Sequence, residues 1–243
     1  MQNICKFKYL LLSKFGFSKK IRHEARNILR RKINNLKGNK VIIVKDGFEK
    51  TADNLDDING FNINFSFVGK NSTIKVHLPI TLEDFSISVE DNTFVELGKN
   101  SIIRDTKIIS WGGGKPFIKI GENCSFWKNV EIFVSSSPGF VMGNDCMVSY
   151  NITIWDGDGH QVTDKNTGEI INKQKEPLII GDHCWISNNV YITKNAKIPN
   201  NTIVAMGAVV SKKFEEENTV IAGNPSKVVK KDVDWNRKNI YEE

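Results

Sequence analysis

The segment from residue 180 to residue 214 reads IGDHCW ISNNVY ITKNAK IPNNTI VAMGAV VSKKF. An aliphatic residue stands at every sixth position, namely Ile180, Ile186, Ile192, Ile198, Val204 and Val210. A period of six fits neither an α-helix nor a half-buried strand, whose side-chain patterns repeat every 3.6 and every two residues. It fits a chain that turns a corner after each short strand, so the segment predicts a β-helix built from hexapeptide repeats.

The corners of such a helix need small residues, which are expected four positions after each aliphatic residue. These positions hold Cys184, Val190, Ala196, Thr202 and Ala208. The pairs Asn188-Asn189 and Asn200-Asn201 also suit corners, because asparagine enters the left-handed backbone region at a lower steric cost than β-branched residues. A single coil cannot bury its own faces, so we expect stability to come from the stacking of neighbouring coils.

The same period continues upstream in shorter runs. These runs are Ile120, Phe126 and Ile132; Met142, Val148 and Ile154; and, more faintly, Leu97, Ile103 and Ile109, and Val68, Ile74 and Ile80. The phase slips at residues 111–116 and 135–138, and most widely at 161–177, which predicts loops that leave the prism. We therefore predict a mainly β protein with a parallel β-helix over residues 41–214 and a closing segment and short tail over 215–243.

Composition places the chain among globular proteins. With 243 residues, of which 40% are hydrophobic, it can bury a substantial core. No run of 18 apolar residues occurs, and the triplet Leu10 to Leu12 is too short for a signal peptide, so we expect a cytoplasmic protein. Cys124, Cys146 and Cys184 fall at small corner positions and form no CxxC pair, which favours buried free thiols.

The net charge of +6 is unevenly distributed. Residues 1–37 contain 11 Lys and Arg and one Glu, giving +10, so the rest of the chain carries +6 − 10 = −4. Within residues 1–40 we predict a basic amphipathic helix that is capped by Ser18 and ends near Gly38. Its apolar stripe consists of Ile21, Ala25, Ile28, Leu29, Ile33 and Leu36.

Two interpretations of this basic segment stay open. In the first, the apolar stripe packs on the β-helix and the charged side chains of the segment face solvent. In the second, residues 1–37 are attracted to an anionic membrane surface, at the inner face of the membrane, or to an anionic glycan. No nucleic-acid-binding motif accompanies the charge, so we expect no nucleic-acid partner.

The sequence WDGDGH, residues 155–160, ends a regular repeat and opens the longest insertion. Gly157 and Gly159 allow a sharp departure of the backbone, which would place His160 at the edge of the prism. A carboxylate of Asp156 or Asp158 could then hold the imidazole in one tautomer and keep it basic. His160 is therefore the leading candidate for a catalytic base among the four histidines.

Three motifs resemble the hexapeptide-repeat acyltransferases, and among them the acetyl-CoA-dependent sugar and polysaccharide O-acetyltransferases. These motifs are IGDHCWISNNVYITKNAKI, IVAMGAVVSKKF and IAGNPSKVVKK, within about Trp155 to Lys231. The resemblance implies a left-handed β-helix and a homotrimer with active sites between neighbouring subunits. The chain departs from the family at Ser187, where glycine is common, and in its long basic N-terminal segment.

The resemblance also implies roles for particular residues. His160 would be the general base that activates a sugar hydroxyl. Backbone amides near Ser187 would bind the oxyanion, with Trp185 shaping the wall of the site or packing between subunits. Acetyl-CoA would bind along Ala205 and Gly207, with its phosphates near Ser211, Lys212 and Lys227, and no metal is expected.

The sequence thus predicts transfer of an acetyl group from acetyl-CoA to a carbohydrate hydroxyl, on a surface or capsular polysaccharide or its precursor. The alternatives are N-acetylation of an amino sugar nucleotide, acetylation of a small acceptor such as a free sugar or an antibiotic, and a non-enzymatic glycan-binding scaffold. A β-helical carbonic anhydrase would bind zinc through three histidines, and the chain has no closely spaced histidine pair.

Overall fold

The computed structural model describes residues 31–111, 113–135 and 138–239. Within these residues the regular structure consists of β-strands, and no helix long and apolar enough to cross a bilayer occurs. In chain order the strands are β1 (Arg31–Asn34), β2 (Lys40–Lys45), β3 (Phe48–Ala52), β4 (Asn59–Phe67), β5 (Thr73–His77), β6 (Thr81–Val89), β7 (Phe94–Leu97), β8 (Ile102–Ser110), β9 (Phe117–Ile120), β10 (Ser125–Val134), β11 (Gly139–Met142), β12 (Met147–Trp155), β13 (Leu178–Ile180), β14 (Trp185–Ile186), β15 (Tyr191–Thr193), β16 (Lys197–Ile198), β17 (Ile203–Val204), β18 (Val209–Val210), β19 (Val220–Ala222) and β20 (Lys227–Lys230).

These strands stack into two sheets. One sheet follows the order β1-β4-β6-β8-β10-β12-β14-β17-β19-β20, with β15 and β18 continuing from the second half of β12. The other follows the order β16-β13-β11-β9-β7-β5-β2-β3. Neighbours pair in parallel except in the two antiparallel pairs β2–β3 and β19–β20. A parallel stack in which each turn of the chain adds a strand to both sheets is a β-helix, which confirms the predicted architecture.

The hexapeptide phase is confirmed where the repeats are regular. Ile192 pairs with Val210 and Ile186 with Val204, so one turn takes three hexapeptides. The aliphatic residues of this segment and its small corner residues are all buried, with exposed fractions of 0 or 1%. The side chains inside the prism therefore form one continuous apolar core along its axis.

The coils nearer the N-terminus are longer. Ile63 pairs with Phe85, so a turn there has four residues more than three hexapeptides. The six-residue phase drifts across these extra residues, and two predicted core positions are wrong. Val68 is 66% exposed while its neighbour Phe67 is fully buried, and Ile109 is only half-buried.

The predicted N-terminal helix is wrong for its last part. Residues 31–34 form β1, which pairs in parallel with β4, so the prism begins before the predicted boundary at residue 41. Ile33 packs against the core, and Asn34 Nδ2 donates to Asn64 Oδ1 at 2.8 Å. When β1 pairs with the open edge of β4, the backbone N–H and C=O groups of both strands gain hydrogen bonds. This gain outweighs the local helix propensity of residues 31–34. The rest of the predicted helix, residues 1–30, lies outside the described residues.

Each turn of the prism has three corners, which we name by their residues. At the glycine corner the chain passes from a strand of the eight-stranded sheet to the next strand of the other sheet. This corner contains Gly98, Gly121, Gly143 and Gly181. The asparagine corner bends the long strands and contains Asn62, Asp84, Asp105, Asn129, Asn151 and Asn189, whose φ angles lie between 40° and 60°. The loop corner lies after the long strands.

All three predicted loops leave the prism at the loop corner. Residues 111–116 follow β8, residues 135–138 follow β10, and residues 156–177 follow β12. Because β8, β10 and β12 are neighbours in one sheet, and β9, β11 and β13 are neighbours in the other, the points at which these loops leave and rejoin the prism stack on one another. The insertions are thereby gathered into one region of the surface.

The glycine corner explains the Gly that recurs in the repeats. A Cβ on Gly143 would lie 2.7 Å from the backbone N of Asp182 and from the carbonyl carbon of Gly181 in the next coil. That space is needed because Asn144 N donates to Asp182 Oδ1 at 2.6 Å, which links the two coils. The glycines here are required by close packing of one backbone on another.

We predict that Gly143→Ala destabilises the protein by roughly 1–3 kcal/mol, the usual cost of forcing an extra methyl into a packed site. The matched control is Gly113→Ala, because a Cβ at Gly113 would meet nothing within 4 Å. Urea denaturation of both variants measures the difference. Equal stability of the two variants would show that the corner is less tightly packed than described.

Candidate active site

The root of the longest loop is fixed to the loop below it. Asp156 is fully buried, and its Oδ1 accepts hydrogen bonds from Ser135 N at 2.6 Å and from Ser135 Oγ at 3.0 Å. Gly157 has no room for a side chain, because a Cβ there would collide with Ser135 Oγ. Gly159 has a φ of 75°, as the predicted sharp turn requires. Together these contacts set the position from which His160 leaves the prism.

Asn172, from the far end of the loop, ties the His160 backbone in place. Its Nδ2 donates to the His160 carbonyl at 2.8 Å and to Asp158 Oδ2 at 2.7 Å, while its Oδ1 accepts from Val162 N at 2.8 Å. Lys194 on the next coil pairs with Asp158. Partial burial alone would raise the pKa of Asp158, but the hydrogen bonds from Lys194 and Asn172 outweigh it and hold that pKa below its usual value.

The His160 side chain is exposed beside a cavity of about 520 Å³. The lining is mostly backbone and uncharged polar groups with one aromatic ring: Trp111, Gly113, Ser135, Gly157, Asp158, Gly159, His160, Gln161, Ile170, Asn172, Lys173 and Gln174. Asp156 contacts Ser135, and Asp158 contacts Lys194 and Asn172, so neither carboxylate holds the imidazole as the sequence led us to expect. The imidazole is open to a ligand in the cavity.

Trp185 lies elsewhere in the same chain. It begins β14 and pairs with Met147, the first residue of β12, whereas His160 follows the last residue of β12. Because β12 bends at Asn151, Trp185 lies near the glycine corner and His160 lies at the loop corner. The indole Nε1 donates to Ser149 Oγ at 3.2 Å. Trp185 and His160 thus lie at different corners of the prism within one chain.

The predicted coenzyme residues fall into three places. Ser187, Ala205 and Gly207 lie at the asparagine corner on consecutive coils, and Ser211 and Lys212 lie at the loop corner after β18. The third place is β20, which begins with the exposed Lys227. Lys212 is also exposed, with its Nζ 5.2 Å from the centre of the Phe214 ring.

The amides at the asparagine corner are already engaged. Ser187 N donates to Val204 O at 2.9 Å, and Ala205 N donates to Ile221 O at 2.8 Å. These bonds belong to the pairing between coils. The Ser187 amide itself is therefore engaged, and the prediction that backbone amides near Ser187 bind the oxyanion stays a prediction for its neighbours. A pantetheine arm at Ala205 would not receive the Ala205 N–H.

The C-terminal tail forms a clamp on the prism that the repeat pattern does not predict. Trp235 is 7% exposed and stacks on His183, with ring centres 4.4 Å apart, and its Nε1 donates to the His183 carbonyl at 2.8 Å. His183 Nδ1 is 2.6 Å from Asp145 Oδ2, and Arg237 pairs with the other oxygen of Asp145 at 3.0 Å. Trp235 also lies against Trp185, with ring centres 6.3 Å apart.

His183 is therefore more than a residue of an ordinary turn. Its φ is 51°, and the matching positions of other repeats hold Asn123, Asp145 and Asn201. The sequence signal for this special role is a histidine at a repeat position that otherwise holds Asn or Asp. Partial burial alone would lower the pKa of His183, but hydrogen bonds to Asp145 and to the Trp235 carbonyl, and the nearby carboxylates, raise it above its ordinary value.

Asp145 responds in the opposite direction. Burial alone would raise its pKa, but the hydrogen bonds from His183 and Arg237 lower it below the ordinary value. The stability contributed by His183 is complete below its unfolded pKa, about 6.5, and is lost as pH rises through the raised folded value. The contribution of Asp145 is complete above its unfolded pKa and is lost only as pH falls through the lowered folded value.

We predict that the tail protects its backbone amides best below the unfolded pKa of His183, about 6.5, and less well as the pH rises through the raised folded pKa of His183. Hydrogen exchange of residues 232–239, corrected for the intrinsic rate, measures this. His183→Asn keeps a residue suited to a φ of 51° and should remove the pH dependence. A pH dependence that persists in this variant would assign the effect to another group.

The chain matches one family model and is similar to known proteins in both sequence and fold. Residues 175–194 match the family model described as the hexapeptide repeat of succinyl-transferase. A Dictyostelium discoideum protein that carries the name acetyltransferase is 32% identical over 140 residues, which cover 56% of this chain and 68% of that protein.

A further relative and a solved structure are similar over larger parts of the chain. The polysialic acid O-acetyltransferase of Escherichia coli O1:K1 is 28% identical over 144 residues, which cover 59% of this chain but only 45% of that relative. The structure of the polySia-specific acetyltransferase NeuO matches with a TM-score of 0.71 at 22% identity, over 87% of this chain and 89% of that one. The latter match establishes a shared fold.

Proposed function

Because the chain belongs to the hexapeptide-repeat acetyltransferases, a family that uses acetyl-CoA, we propose that it transfers the acetyl group of acetyl-CoA to a hydroxyl of a carbohydrate. The observation that carries this proposal is the exposed His160 imidazole beside a cavity of about 520 Å³ that polar and apolar groups line together. A cavity of this size lies within the range of roughly 300–1,000 Å³ that is usual for small-molecule sites. The Escherichia coli relative is named for polysialic acid, which supports a polysaccharide acceptor, and we propose a surface or capsular polysaccharide or its precursor.

In the proposed reaction His160 acts as a general base. A sugar hydroxyl bound in the cavity attacks the thioester carbonyl carbon of acetyl-CoA while neutral imidazole takes the hydroxyl proton. The tetrahedral intermediate collapses, the carbon–sulfur bond breaks, and the coenzyme thiolate takes a proton from the imidazolium. The Asn172 tie to the His160 carbonyl supports this role, because it limits the positions that the ring can reach.

We predict that His160→Ala lowers kcat by roughly 10² to 10⁴ while acetyl-CoA binding and the melting temperature stay close to wild type. The matched control is His77→Ala, because His77 lies on the eight-stranded sheet and pairs there with Glu96 at 2.8 Å. Steady-state kinetics and coenzyme titration measure the two effects. Equal losses in both variants would remove His160 from the mechanism.

The acceptor can be identified with two glycans, an oligomer of sialic acid and a neutral oligomer of glucose. Mass spectrometry after incubation with acetyl-CoA should show one added acetyl ester on a glycan, which mild base removes. A base-stable product would indicate N-acetylation instead. Acetylation of a free sugar or antibiotic with neither glycan modified would indicate a small acceptor.

The site is completed, we propose, by a neighbouring subunit of a homotrimer. His160 lies at the loop corner, whereas Ser187, Ala205 and Gly207 lie at the asparagine corner of the same chain. Four large apolar side chains are exposed on successive coils beside the asparagine corner: Trp127 (46%), Tyr150 (43%), Tyr191 (53%) and Met206 (63%). Trp127 and Tyr150 stack with ring centres 6.2 Å apart, and exposed apolar side chains on four successive coils support a contact with another chain. Across that contact the loop corner of one subunit, with His160, would lie beside the asparagine corner of its neighbour, where we propose that acetyl-CoA binds.

We predict that two inactive variants restore activity when they share a trimer. His160→Ala removes the base, and Ala205→Phe fills the wall proposed for the coenzyme. Every trimer that contains both variants has one interface in three that combines an intact loop corner with an intact asparagine corner, so about a third of wild-type activity is expected of mixed trimers. Trimers purified through two different tags test this. No recovery in mixed trimers would place the whole site within one chain.

The proposal extends to the basic N-terminal segment. We propose that it holds a cytoplasmic enzyme near an anionic membrane surface or an anionic glycan, as the charge of residues 1–37 suggests. Arg31 is part of β1, and its Nη2 donates to the Gly60 carbonyl at 3.0 Å. A truncation that removes only the recruitment segment must therefore end at residue 30.

A further inference from the structure

The cavity beside His160 has an aromatic wall that the mechanism does not use. Trp111 lines the cavity from the loop after β8, two coils away from the coil that carries His160. Phe133 and Trp155 lie behind it on the next two coils, and these two residues pair in register. Ring centres are 5.5 Å apart for Trp111 and Phe133, 6.0 Å for Trp111 and Trp155, and 5.5 Å for Phe133 and Trp155.

These rings are not part of the core of the prism. The core side chains of the same strands, Ile132 and Ile154, are fully buried, whereas Trp155 is 36% exposed and Trp111 and Phe133 are half-buried. Three large rings kept on the outside form an apolar surface beside a cavity that Ser, Asn and Gln side chains also line, and an apolar wall with a few polar groups is typical of a binding site. The edge-on contacts of Phe133 and Trp155 fix the orientation of the Trp111 ring, so little of its freedom remains to be lost on binding.

We propose that Trp111, held by Phe133 and Trp155, is the platform on which a pyranose ring of the acceptor stacks. A pyranose presents C–H groups on its face and hydroxyls around its rim. An indole face suits the C–H groups, because its π-system is negative there and its surface is apolar. The amide side chains of Gln161 and Gln174, at the edge of the same cavity, suit the hydroxyls.

This assignment rests on the proposed function and places the acceptor, rather than the coenzyme, beside the loop. An adenine ring could also stack on an indole. The lysines suited to coenzyme phosphates, however, are Lys212 after β18 and Lys227 on β20, whereas Trp111 follows β8. The sheet order β8-β10-β12-β14-β17-β19-β20 separates these positions by several coils. The stacking platform and the phosphate-binding groups are thus at different levels of the prism.

The test compares Trp111→Ala, Trp111→Phe and the matched control Phe94→Ala, which removes an outward ring stacked on Phe117 on the other sheet. For whichever of the two glycans is acetylated, Trp111→Ala should raise the acceptor KM about two- to tenfold, the usual effect of losing one aromatic contact. Trp111→Phe should recover part of the loss. The KM for acetyl-CoA and the slow acceptor-free hydrolysis of acetyl-CoA should stay as in wild type.

Three results would overturn the platform: an unchanged acceptor KM in Trp111→Ala, a raised KM for acetyl-CoA alone, or loss of the trimer in that variant. Saturation-transfer NMR with the sialic acid and glucose oligomers separates this proposal from the proposed reaction. Binding by wild type that Trp111→Ala abolishes supports the platform even if no acetyl transfer occurs. Absence of binding to wild type refutes the platform even if a small acceptor is acetylated.

Discussion

Hydrogen bonding between successive coils, at the spacing of neighbouring β-strands, is the constraint on which the rest of the molecule depends. Neighbouring strands lie about 4.8 Å apart, so every corner must repeat within that distance. At the asparagine corner the side chains form a ladder, in which Asn129 Nδ2 donates to Asn151 Oδ1 at 2.9 Å and Asn151 Nδ2 donates to Asn189 Oδ1 at 3.0 Å. At the glycine corner even a methyl group is excluded.

The same constraint decides where functional residues can be placed. Two of the three corners are filled by ladders or close backbone contacts, so an insertion there would separate the coils. Insertions are accommodated at the loop corner, where the turns before β9, β11 and β13 all leave the prism. The stacking that stabilises the fold therefore also brings Trp111, Ser135 and His160, which are far apart in sequence, to one cavity.

The sequence predicts core and corner residues correctly wherever each position of the six-residue repeat has one fixed location in the coil. The hexapeptides from Ile180 onward obey this rule, and their core and corner residues were predictable. The upstream turns are longer, so this rule does not hold there. The six-residue period therefore predicts that Val68 lies in the core, although Phe67 is the buried residue. Helix propensity at Ile33 and Leu36 could not anticipate the open edge of β4, because that edge exists only in the folded protein.

The candidate site was predictable in part for the same reason. His160 could be found from its place at the root of an insertion. Its separation from Trp185 depends on strand register, and the aromatic wall depends on contacts between loops that no local pattern records. The contact of Trp235 with His183 joins residues 52 positions apart, and only the unusual histidine in the repeat pointed to it.

The tail changes how the solenoid can come apart. A stack of coils held only by nearest neighbours can fray from its end, one turn after another. Here Arg237 runs back along the prism and binds the Asn123 and Cys146 carbonyls, which belong to turns well inside the stack. The last coils therefore cannot detach independently while the tail is bound, and the C-terminal end of the prism opens as one cooperative unit together with its middle.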